Sequence, residues 1–374
     1  MRIEPRKLIT PGRVIIAIIL GVGFFLTVRR FALGLGAATN LSDQAPWGLW
    51  IGFDVVSGVA LAAGGFTMAF LAHIAGDRTL HPLVRPAILT AFLGYLLVIF
   101  GLIYDLGKPW NMPHIFYSWN HHSAMFEVAW CVILYTTVLF LEFLPMVFER
   151  FRVEKAMRII RIVQIPIFIA GIVLSTLHQS SLGSLFLLVP GKLHPLWWTR
   201  YLPILFFFSA IAVGISMVMF ESFVSSHFLK RGLELRLLSR MGQYLVAADL
   251  LYLILRVQDL TARGVWDLAF TGSTESIAFL IEMGLYLTPI VLLASARRRR
   301  QPGFLFAGAL AGVLALVANR INVSLVGMMG ASGASYFPSW QEFWISATLV
   351  LAAALAFGLA ARYLPVFTAH EEPA

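Results

Sequence analysis

Ten long apolar stretches divide this chain of 374 residues, and they constrain its fold more than any other feature of the sequence. A helix needs roughly 20 mostly apolar residues to cross the hydrocarbon core of a bilayer. Only 13% of the residues are charged, against about 25% in soluble domains. The sequence therefore predicts an all-α integral membrane protein with ten transmembrane helices. These span residues 12–37, 48–75, 86–106, 122–148, 158–182, 199–224, 240–258, 275–296, 303–328 and 340–363.

The cationic residues predict the orientation of these helices. Twenty of the 28 Lys and Arg residues fall on the side that holds the N-terminus when alternate loops are counted. Cytoplasmic loops carry such an excess, so we expect both termini to be cytoplasmic, and we call the opposite side the outer side. Because the arginines lie between apolar stretches, the net charge of +9 does not indicate nucleic-acid binding. We expect Arg29 and Arg30, at the end of the first helix, to reach the membrane surface.

The cysteine and histidine content restricts the cofactors. Cys131 is the only cysteine, so the chain alone cannot supply the several thiolates of an iron–sulfur cluster. A bis-histidine haem needs two histidines facing each other at one depth. The pairs available are His178 with His121 or His122, and His73 with His227. Each pair has a member at or beyond a helix end, so we expect no haem and no metal site.

Each of predicted helices two to five carries one ionisable side chain near its outer end. Such a group costs about 2.5–3.5 kcal/mol inside a bilayer on insertion scales, and it usually serves a function. Four helices with short connections favour a bundle, in which these groups would converge on one pocket. The alternative is that they separately face lipid headgroups, a reading that suits Asp105 best because a helix-ending turn follows it. The four residues are Asp54, Asp105, Glu127 and His178.

Polar residues recur at helical spacing on predicted helices four and five. At about 100° per residue, each set lies on one stripe of its helix. A stripe running from the outer pocket towards the cytoplasm would be a candidate proton path, and the alternative is hydrogen bonding between helices. The fourth helix carries Glu127, Cys131, Tyr135 and Glu142, and the fifth carries Gln164, Gly171, Ser175 and His178.

Predicted helices seven to nine contain two acids and two arginines. Buried charges of opposite sign are usually paired, so we expect paired charges that stabilise this part of the bundle. The residues are Asp249, Arg256, Glu282 and Arg320.

Seven segments give the chain a resemblance to a known family. They are PWGLWIGFD (46–54), HPLVRPA (81–87), DLGKPWNMP (105–113), SAMFE (123–127), LHQSSLGSL (177–185), HPLW (194–197) and YFPSWQE (336–342). The chain resembles the membrane subunit of Hyb-type periplasmic nickel–iron hydrogenases, within the NrfD/PsrC-like family of quinone-interacting membrane proteins. The resemblance covers helices two to ten.

The resemblance implies a single bacterial inner-membrane domain over residues 1–374. It implies two four-helix bundles, at 48–182 and 199–328, flanked by helices 12–37 and 340–363, and no haem. A menaquinone or ubiquinone site is implied at the outer end of the first bundle, where the four titratable residues fall within the matching motifs. A periplasmic ferredoxin-like iron–sulfur subunit is the implied partner. Nickel–iron hydrogenase large and small subunits, or another module such as a multihaem cytochrome, would complete the complex.

These observations favour a membrane anchor that passes electrons between a partner iron–sulfur protein and a quinone. His178 would bind a quinone carbonyl, Glu127 and Asp54 would supply protons, and Asp105 would shape the pocket mouth. One rival is a secondary transporter, but transporter sites lie near the bilayer midplane at broken helices, and these charges lie near the outer side. The other rival, a purely structural anchor, leaves the shared depth of the charges unexplained.

Overall fold

A computed structural model describes residues 10–188, 191–333 and 336–367, and these residues form helices and connecting loops without a strand. The cations Arg2, Arg6 and Lys7, which were counted towards the topology, lie outside this part. The long helices are α1 (Pro11–Leu33), α2 (Trp50–Ile74), α3 (His81–Asp105), α4 (Ala124–Phe151), α5 (Glu154–Leu185), α6 (Leu202–Leu229), α7 (Leu235–Arg263), α8 (Thr274–Leu293), α9 (Pro302–Gly330) and α10 (Trp340–Tyr363).

Within the described residues, nine of these helices are long and apolar enough to cross a membrane. The exception is α7, whose 29 residues extend about 43 Å but include several charged side chains. α7 packs against both α6 and α8. The prediction of an all-helical protein with many apolar helices is therefore confirmed.

The helices often extend beyond their predicted limits. α3 begins at His81 rather than 86, α5 begins at Glu154 rather than 158, and α7 extends past both predicted ends. The added turns are rich in Arg, Lys, Glu and Leu, which form helices readily although an apolar pattern does not include the charged ones. α1, in contrast, ends at Leu33, where Gly34 adopts a φ of 90°.

The packing order places two sets of four helices side by side. α2 packs on α3, α3 on α4 and α4 on α5, and α5 returns to α2. α6, α7, α8 and α9 follow one another in the same way, with α9 returning to α6. The two sets meet where α6 contacts α2 and α5. α1 and α10 pack against each other, and α10 also packs on α3.

α2 and α9 are irregular. α2 begins as a π-helical segment (Trp50–Ser57), which contains Asp54, and α9 includes another (Asn322–Val326). Single π-helical turns within α-helices often mark functional sites. Gly101 lets α3 approach the first segment closely, because a Cβ there would lie 2.7 Å from the Cβ of Asp54.

Arg30 is buried, with 1% of its surface exposed, so the prediction that it reaches the membrane surface was wrong. Its Nε donates to the Tyr104 carbonyl at 2.8 Å, and its Nη2 donates to the Leu106 carbonyl at 2.6 Å. The last carbonyls of a helix have no partner within the helix. The guanidinium of Arg30 satisfies these groups at the end of α3, next to Asp105.

Candidate functional site

His178 is fully buried near the outer end of α5. Its Nδ1 lies 2.9 Å from the hydroxyl of Tyr95 on α3. Its Nε2 is buried and has no hydrogen-bond partner among the described residues. A neutral imidazole carries one donor and one acceptor nitrogen, so Nε2 is available to a bound molecule.

Other unsatisfied polar groups are buried near this histidine. The Tyr135 ring packs edge-on against Tyr95, with centroids 4.7 Å apart, and Ser175 lies next to the Tyr135 hydroxyl. Gln179 donates its Nε2 to the Val59 carbonyl at 3.2 Å. Buried polar atoms without partners are rare and call for an explanation such as water or a ligand. Among the described residues near His178, the buried atoms without a partner are Tyr135 Oη, Ser175 Oγ and Gln179 Oε1, in addition to His178 Nε2.

The polar stripe of α4 faces α5. Cys131, Tyr135 and Glu142 are all buried, and Cys131 lies beside Ser181 of α5. Gly171 leaves room for the Glu142 carboxyl, because a Cβ at Gly171 would lie 3.1 Å from Oε1. The stripe thus runs through the interface between the two helices. Gln164, nearer the inner end of α5, is half-buried.

Glu127 is exposed in the first turn of α4. The side chain of Ser123 caps this helix by accepting from the Phe126 amide at 3.4 Å. A carboxylate is favoured at a helix N-terminus by the helix dipole. Glu127 lies one helical turn before Cys131, so it marks the exposed outer end of the buried stripe.

Asp54 belongs to a different interface from His178. It is 1% exposed, and its Oδ2 accepts from Ser346 of α10 at 2.5 Å, whereas Oδ1 is buried without a partner. The indole of nearby Trp50 donates to the Glu342 carbonyl oxygen at 3.3 Å, also on α10. The flanking helix α10 therefore completes the surroundings of Asp54.

Glu342 is a fully buried acid at the start of α10. Its carboxylate accepts from the Ser339 amide at 2.7 Å and from the Tyr336 hydroxyl at 2.5 Å. Burial, together with the bond to Glu342, raises the pKa of Tyr336, which remains a donor. The positive charge of Arg30 and the negative charge of Glu342 both lie close enough to Asp105 to interact with its carboxyl group. Oδ1 of Asp105 is buried and has no hydrogen-bond partner among the described residues.

The four titratable residues thus lie in three places. His178 lies at the interface of α3 and α5, Asp54 and Asp105 lie near α10, and Glu127 lies at the exposed start of α4. Tyr95, which contacts His178, and Gly101, which contacts Asp54, are six residues apart on α3, about 9 Å along its axis. Our sequence analysis did not identify Tyr95, Gln179, Ser346, Glu342 or Arg30 as site residues. Glu342 and Tyr336 could have been found, because both fall in the YFPSWQE segment.

Two of the four buried charges of α7 to α9, Glu282 and Arg320, belong to one hydrogen-bonded network. Glu282 accepts from Trp197 at 2.8 Å, from Asn319 at 2.7 Å and from Asn322 at 2.8 Å. Asn319 also accepts from Arg320 at 2.6 Å, so an amide links the acid to the arginine. The amide of Asn319 thus lies between these two charges, and the stabilising role of the charged set stays a prediction.

The other two charges of this set behave differently from each other. Arg256 lies 3.7 Å from Asp259, a carboxylate that the sequence analysis had not considered, and it donates to the Leu196 carbonyl at 2.6 Å. Both carboxyl oxygens of the fully buried Asp249 lack a hydrogen-bond partner among the described residues.

Comparison with known proteins assigns the family. A family model described as "Polysulphide reductase, NrfD" matches residues 37–331. The chain belongs to the NrfD family. A protein from Nitratidesulfovibrio vulgaris is 40% identical over 98% of this chain and 97% of its own length. The resemblance drawn from the seven segments is confirmed.

Two further relatives have descriptive names. The probable Ni/Fe-hydrogenase 2 b-type cytochrome subunit of Escherichia coli is 34% identical, over 96% of this NrfD chain and 93% of its own length. The integral membrane subunit of a menaquinone reductase from Nitratidesulfovibrio vulgaris is 28% identical, over 95% of this chain and 91% of its own length. Together with the nine long apolar helices found among the described residues, the family indicates a multi-pass membrane protein.

Proposed function

We propose that this chain is the membrane anchor and quinone-reactive subunit of a respiratory oxidoreductase complex. It passes electrons between a partner iron–sulfur protein and menaquinone or ubiquinone. The observation that carries the proposal is the fully buried His178, whose Nδ1 is hydrogen-bonded to Tyr95 and whose Nε2 has no partner in the described part of the chain. The names of the hydrogenase and menaquinone reductase relatives support the same class of complex.

The chemistry follows from the hydrogen bond of His178. If the Tyr95 hydroxyl donates to Nδ1, the imidazole proton resides on Nε2 and can be donated to a quinone carbonyl. Reduction of the quinone to quinol takes two electrons from the partner and two protons. Buried hydroxyls and carboxyls on the same stripe can relay protons to the two quinone oxygens.

Two proton routes are consistent with the stripe. The exposed Glu127 connects the outer side with Cys131 and Tyr135, and uptake there would make turnover electroneutral. The buried Glu142, with Gln164 beyond it and Ser175 beside Tyr135, extends the stripe towards the arginine-rich side. Uptake from that side would couple turnover to the membrane potential. Asp54 and Asp105 would act at the adjoining α10 interface, Asp54 as a proton donor and Asp105 at the pocket mouth.

The proposed complex determines the partners and the location. The chain lies in the bacterial inner membrane with both termini cytoplasmic. α7 also crosses the membrane, which brings the number of transmembrane helices to ten. α2–α5 and α6–α9 are the two bundles, which α1 and α10 flank. A periplasmic ferredoxin-like subunit delivers or accepts electrons, and nickel–iron hydrogenase subunits or a multihaem cytochrome complete the complex.

We also propose that the chain holds neither haem nor an iron–sulfur cluster. A bis-histidine haem needs two histidines that face each other at one depth, and of the eight described histidines only His178 is fully buried. His73 and His81 are exposed and pack against each other with ring centroids 4.8 Å apart. The redox chemistry is then that of the quinone and of the partner's clusters.

The test compares two activities on the same membranes. Glu127→Gln keeps the size of the side chain and its capacity for hydrogen bonding but removes the ionisable carboxyl group. His178→Ala removes the proposed hydrogen-bond partner of the quinone carbonyl. We expect both variants to impair hydrogen-to-quinone turnover while hydrogen-to-dye activity persists. His178→Ala should raise the apparent quinone KM roughly tenfold, as expected for one lost hydrogen bond.

Glu275→Gln, in the first turn of α8 on the same side, is the matched control for Glu127→Gln. It should leave both activities unchanged. Equal loss of quinone and dye activity in the test variants would mean that they only disrupt assembly. Unchanged quinone turnover in both would move the site elsewhere, with the Asp249, Glu282 and Arg320 group as the next place to examine.

A further inference from the structure

A basic cavity of about 440 Å³ lies between the inner ends of α4 and α10. It is lined by Arg150 and Arg152 from the end of α4 and by Arg362 from the end of α10, together with Glu149 and Pro365. This cavity is at the opposite end of the helices from the outer ends that hold Glu127 and His178. Neither the proposed quinone chemistry nor the proton routes use it.

The charges around the cavity do not cancel. Glu149 is already paired, because its Oε2 lies 2.7 Å from Nη2 of Arg85 on α3. The other side of the Arg85 guanidinium donates to the Pro365 carbonyl at 3.0 Å. Within the described residues, no carboxylate oxygen lies within 4 Å of the three lining arginines. These three positive charges therefore remain available.

Helix dipoles account for only part of this positive charge. α4 and α10 both end at the cavity, and each helix C-terminus carries roughly half a negative charge. Two such ends offset about one arginine. A surplus of about two positive charges remains, which matches an anion carrying two negative charges.

The surroundings of the cavity are apolar on the membrane side. Phe151 and Tyr363, which adjoin the arginines in sequence, are 70% and 59% exposed. Further into the membrane, Phe143 lies two turns before Arg150 on α4 and is half-buried, and Leu359 lies one turn before Arg362 on α10 and is 59% exposed. α3 packs against both α4 and α10, so it lies between them at this surface. A cationic rim above an apolar surface suits an amphiphilic anion better than a free ion.

We propose that this cavity binds the phosphate headgroup of an anionic phospholipid, with the acyl chains lying along the surface of α4 and α10. Basic pockets between helices on the cytoplasmic side are typical headgroup sites. A lipid with two phosphates, diphosphatidylglycerol, matches the surplus charge. The bound lipid would join α10 to the first set of helices at the inner side, as Ser346 and Asp54 join them at the outer side.

The experiment uses the full chain, purified with its subunits and depleted of lipid, in a neutral detergent. Binding of diphosphatidylglycerol, phosphatidylcholine and inorganic phosphate is measured by native mass spectrometry and by the shift in Tm. We expect diphosphatidylglycerol alone to bind and to raise Tm. Arg150→Gln, Arg152→Gln and Arg362→Gln together should weaken binding on the order of 100-fold, since each arginine near a membrane surface contributes roughly fivefold.

The matched control removes three arginines from the inner side outside the cavity, by Arg297→Gln, Arg298→Gln and Arg300→Gln. It should keep the lipid affinity within about twofold. The corresponding triple Lys variant of the cavity keeps the charge and should keep most of the binding, which guards against loss of folding in the Gln variant. A chain that ends at Phe367 lacks Glu371 and Glu372 and should bind as the full chain does.

Several outcomes would overturn the proposal. Equal loss in the cavity variant and the control variant would mean general attraction to a basic surface. Competition by inorganic phosphate at the concentration of the lipid would indicate a free-phosphate site. Binding that appears only in the shortened chain would mean that the C-terminal carboxylates, and not a lipid, occupy the cavity.

Discussion

At the scale of single residues, the contact between Tyr95 and His178 sets the chemistry of the proposed site. The tyrosine hydroxyl is the only described hydrogen-bond partner of this imidazole, and both side chains are fully buried. The hydroxyl therefore determines which ring nitrogen faces the remaining space. It also fixes the plane of the ring, which must be aligned with any carbonyl that Nε2 binds.

We expect Tyr95→Phe to lower kcat/KM for quinone by about 5- to 100-fold, the effect of a lost or misdirected hydrogen bond in a buried site. Dye reduction by the assembled complex should be unaffected, because the tyrosine is fully buried within this chain. Steady-state rates over a range of quinone concentrations measure both. Tyr201→Phe, at an exposed tyrosine, is the control. Wild-type kcat/KM in Tyr95→Phe would remove the tyrosine from the mechanism.

The sequence identified the buried acids and the histidine but not their partners. Asp54 and His178 could be found because ionisable groups in apolar stretches are costly and conspicuous. Ser346 and Tyr95 are not conspicuous, since hydroxyls are common in membrane helices and cost little. Their roles depend on contacts across 292 and 83 residues, respectively. Glu127 lies in the first turn of α4, and its exposure depends on how α4 is oriented against its neighbours.

At the scale of helices, the two buried acids of α7 to α9 differ in the number of hydrogen bonds that they accept. Glu282 receives three hydrogen bonds from Trp197, Asn319 and Asn322, whereas Asp249 receives none from the residues that the structure describes. A buried acceptor contributes to stability only through the donors that satisfy it. The two acids should therefore respond oppositely to substitution.

We expect Glu282→Gln to lower the free energy of unfolding by about 1–3 kcal/mol. The carboxylate accepts hydrogen bonds on both oxygens, whereas the NH2 group of glutamine would face a donor with another donor. Asp249→Leu should leave stability unchanged or raise it, since no described hydrogen bond is lost and a polar group leaves the protein interior. Thermal unfolding in one detergent, with both variants side by side, measures the contrast. A larger loss in Asp249→Leu than in Glu282→Gln would contradict this view of the network.

The inner loop between α2 and α3 is fastened to α7 by Asp77. Burial acts to raise the pKa of Asp77, but hydrogen bonds from Thr79 and Tyr244 and the charge of Arg240 hold that pKa below its usual value. The Tyr244 hydroxyl donates to Oδ2 at 2.8 Å, and Thr79 donates to Oδ1 at 2.6 Å. A carboxyl with a lowered pKa stabilises the fold above its unfolded pKa, and this stabilisation is lost as the pH falls through the folded value.

We therefore expect the Tm of the wild type to exceed that of Asp77→Asn at neutral pH. The difference should shrink progressively below about pH 4, the ordinary pKa of an aspartate. Asp43→Asn, at an exposed aspartate, should show no such difference at any pH. A constant gap between wild type and Asp77→Asn down to pH 2 would mean that the charge of Asp77 is not the stabilising feature.

Most helices could be predicted because length and hydropathy are local properties. Within the described residues, nine predicted helices correspond to a helix long and apolar enough to cross a membrane, whereas α7 falls short of the hydropathy of the others. The π-helical segments of α2 and α9 were not predicted, because an extra residue in one turn leaves no mark on an apolar pattern. Neighbouring helices hold these segments in place, as the close approach of Gly101 to Asp54 illustrates.

At the scale of the whole molecule, orientation is the property most open to test. We expect reporters fused after Ala374 to be cytoplasmic and reporters within 186–192 to be periplasmic. Fusions at Gly232 and Gly272, on either side of α7, should report opposite sides, cytoplasmic and periplasmic. The same side for both would mean that α7 does not cross. A periplasmic signal after Ala374 would contradict the ten-helix arrangement.

The bond between Asp54 and Ser346 has a consequence for the order of events during synthesis. The two residues are separated by 292 positions, and a ribosome adds about 5–20 residues per second. Asp54 therefore spends about 15–60 s in or near the bilayer before its partner has been made. During that interval the nascent chain exposes an acid that the finished protein encloses. We infer that newly made chains are most vulnerable to quality-control proteases in this window, and that release of the C-terminal helix from the ribosome ends it.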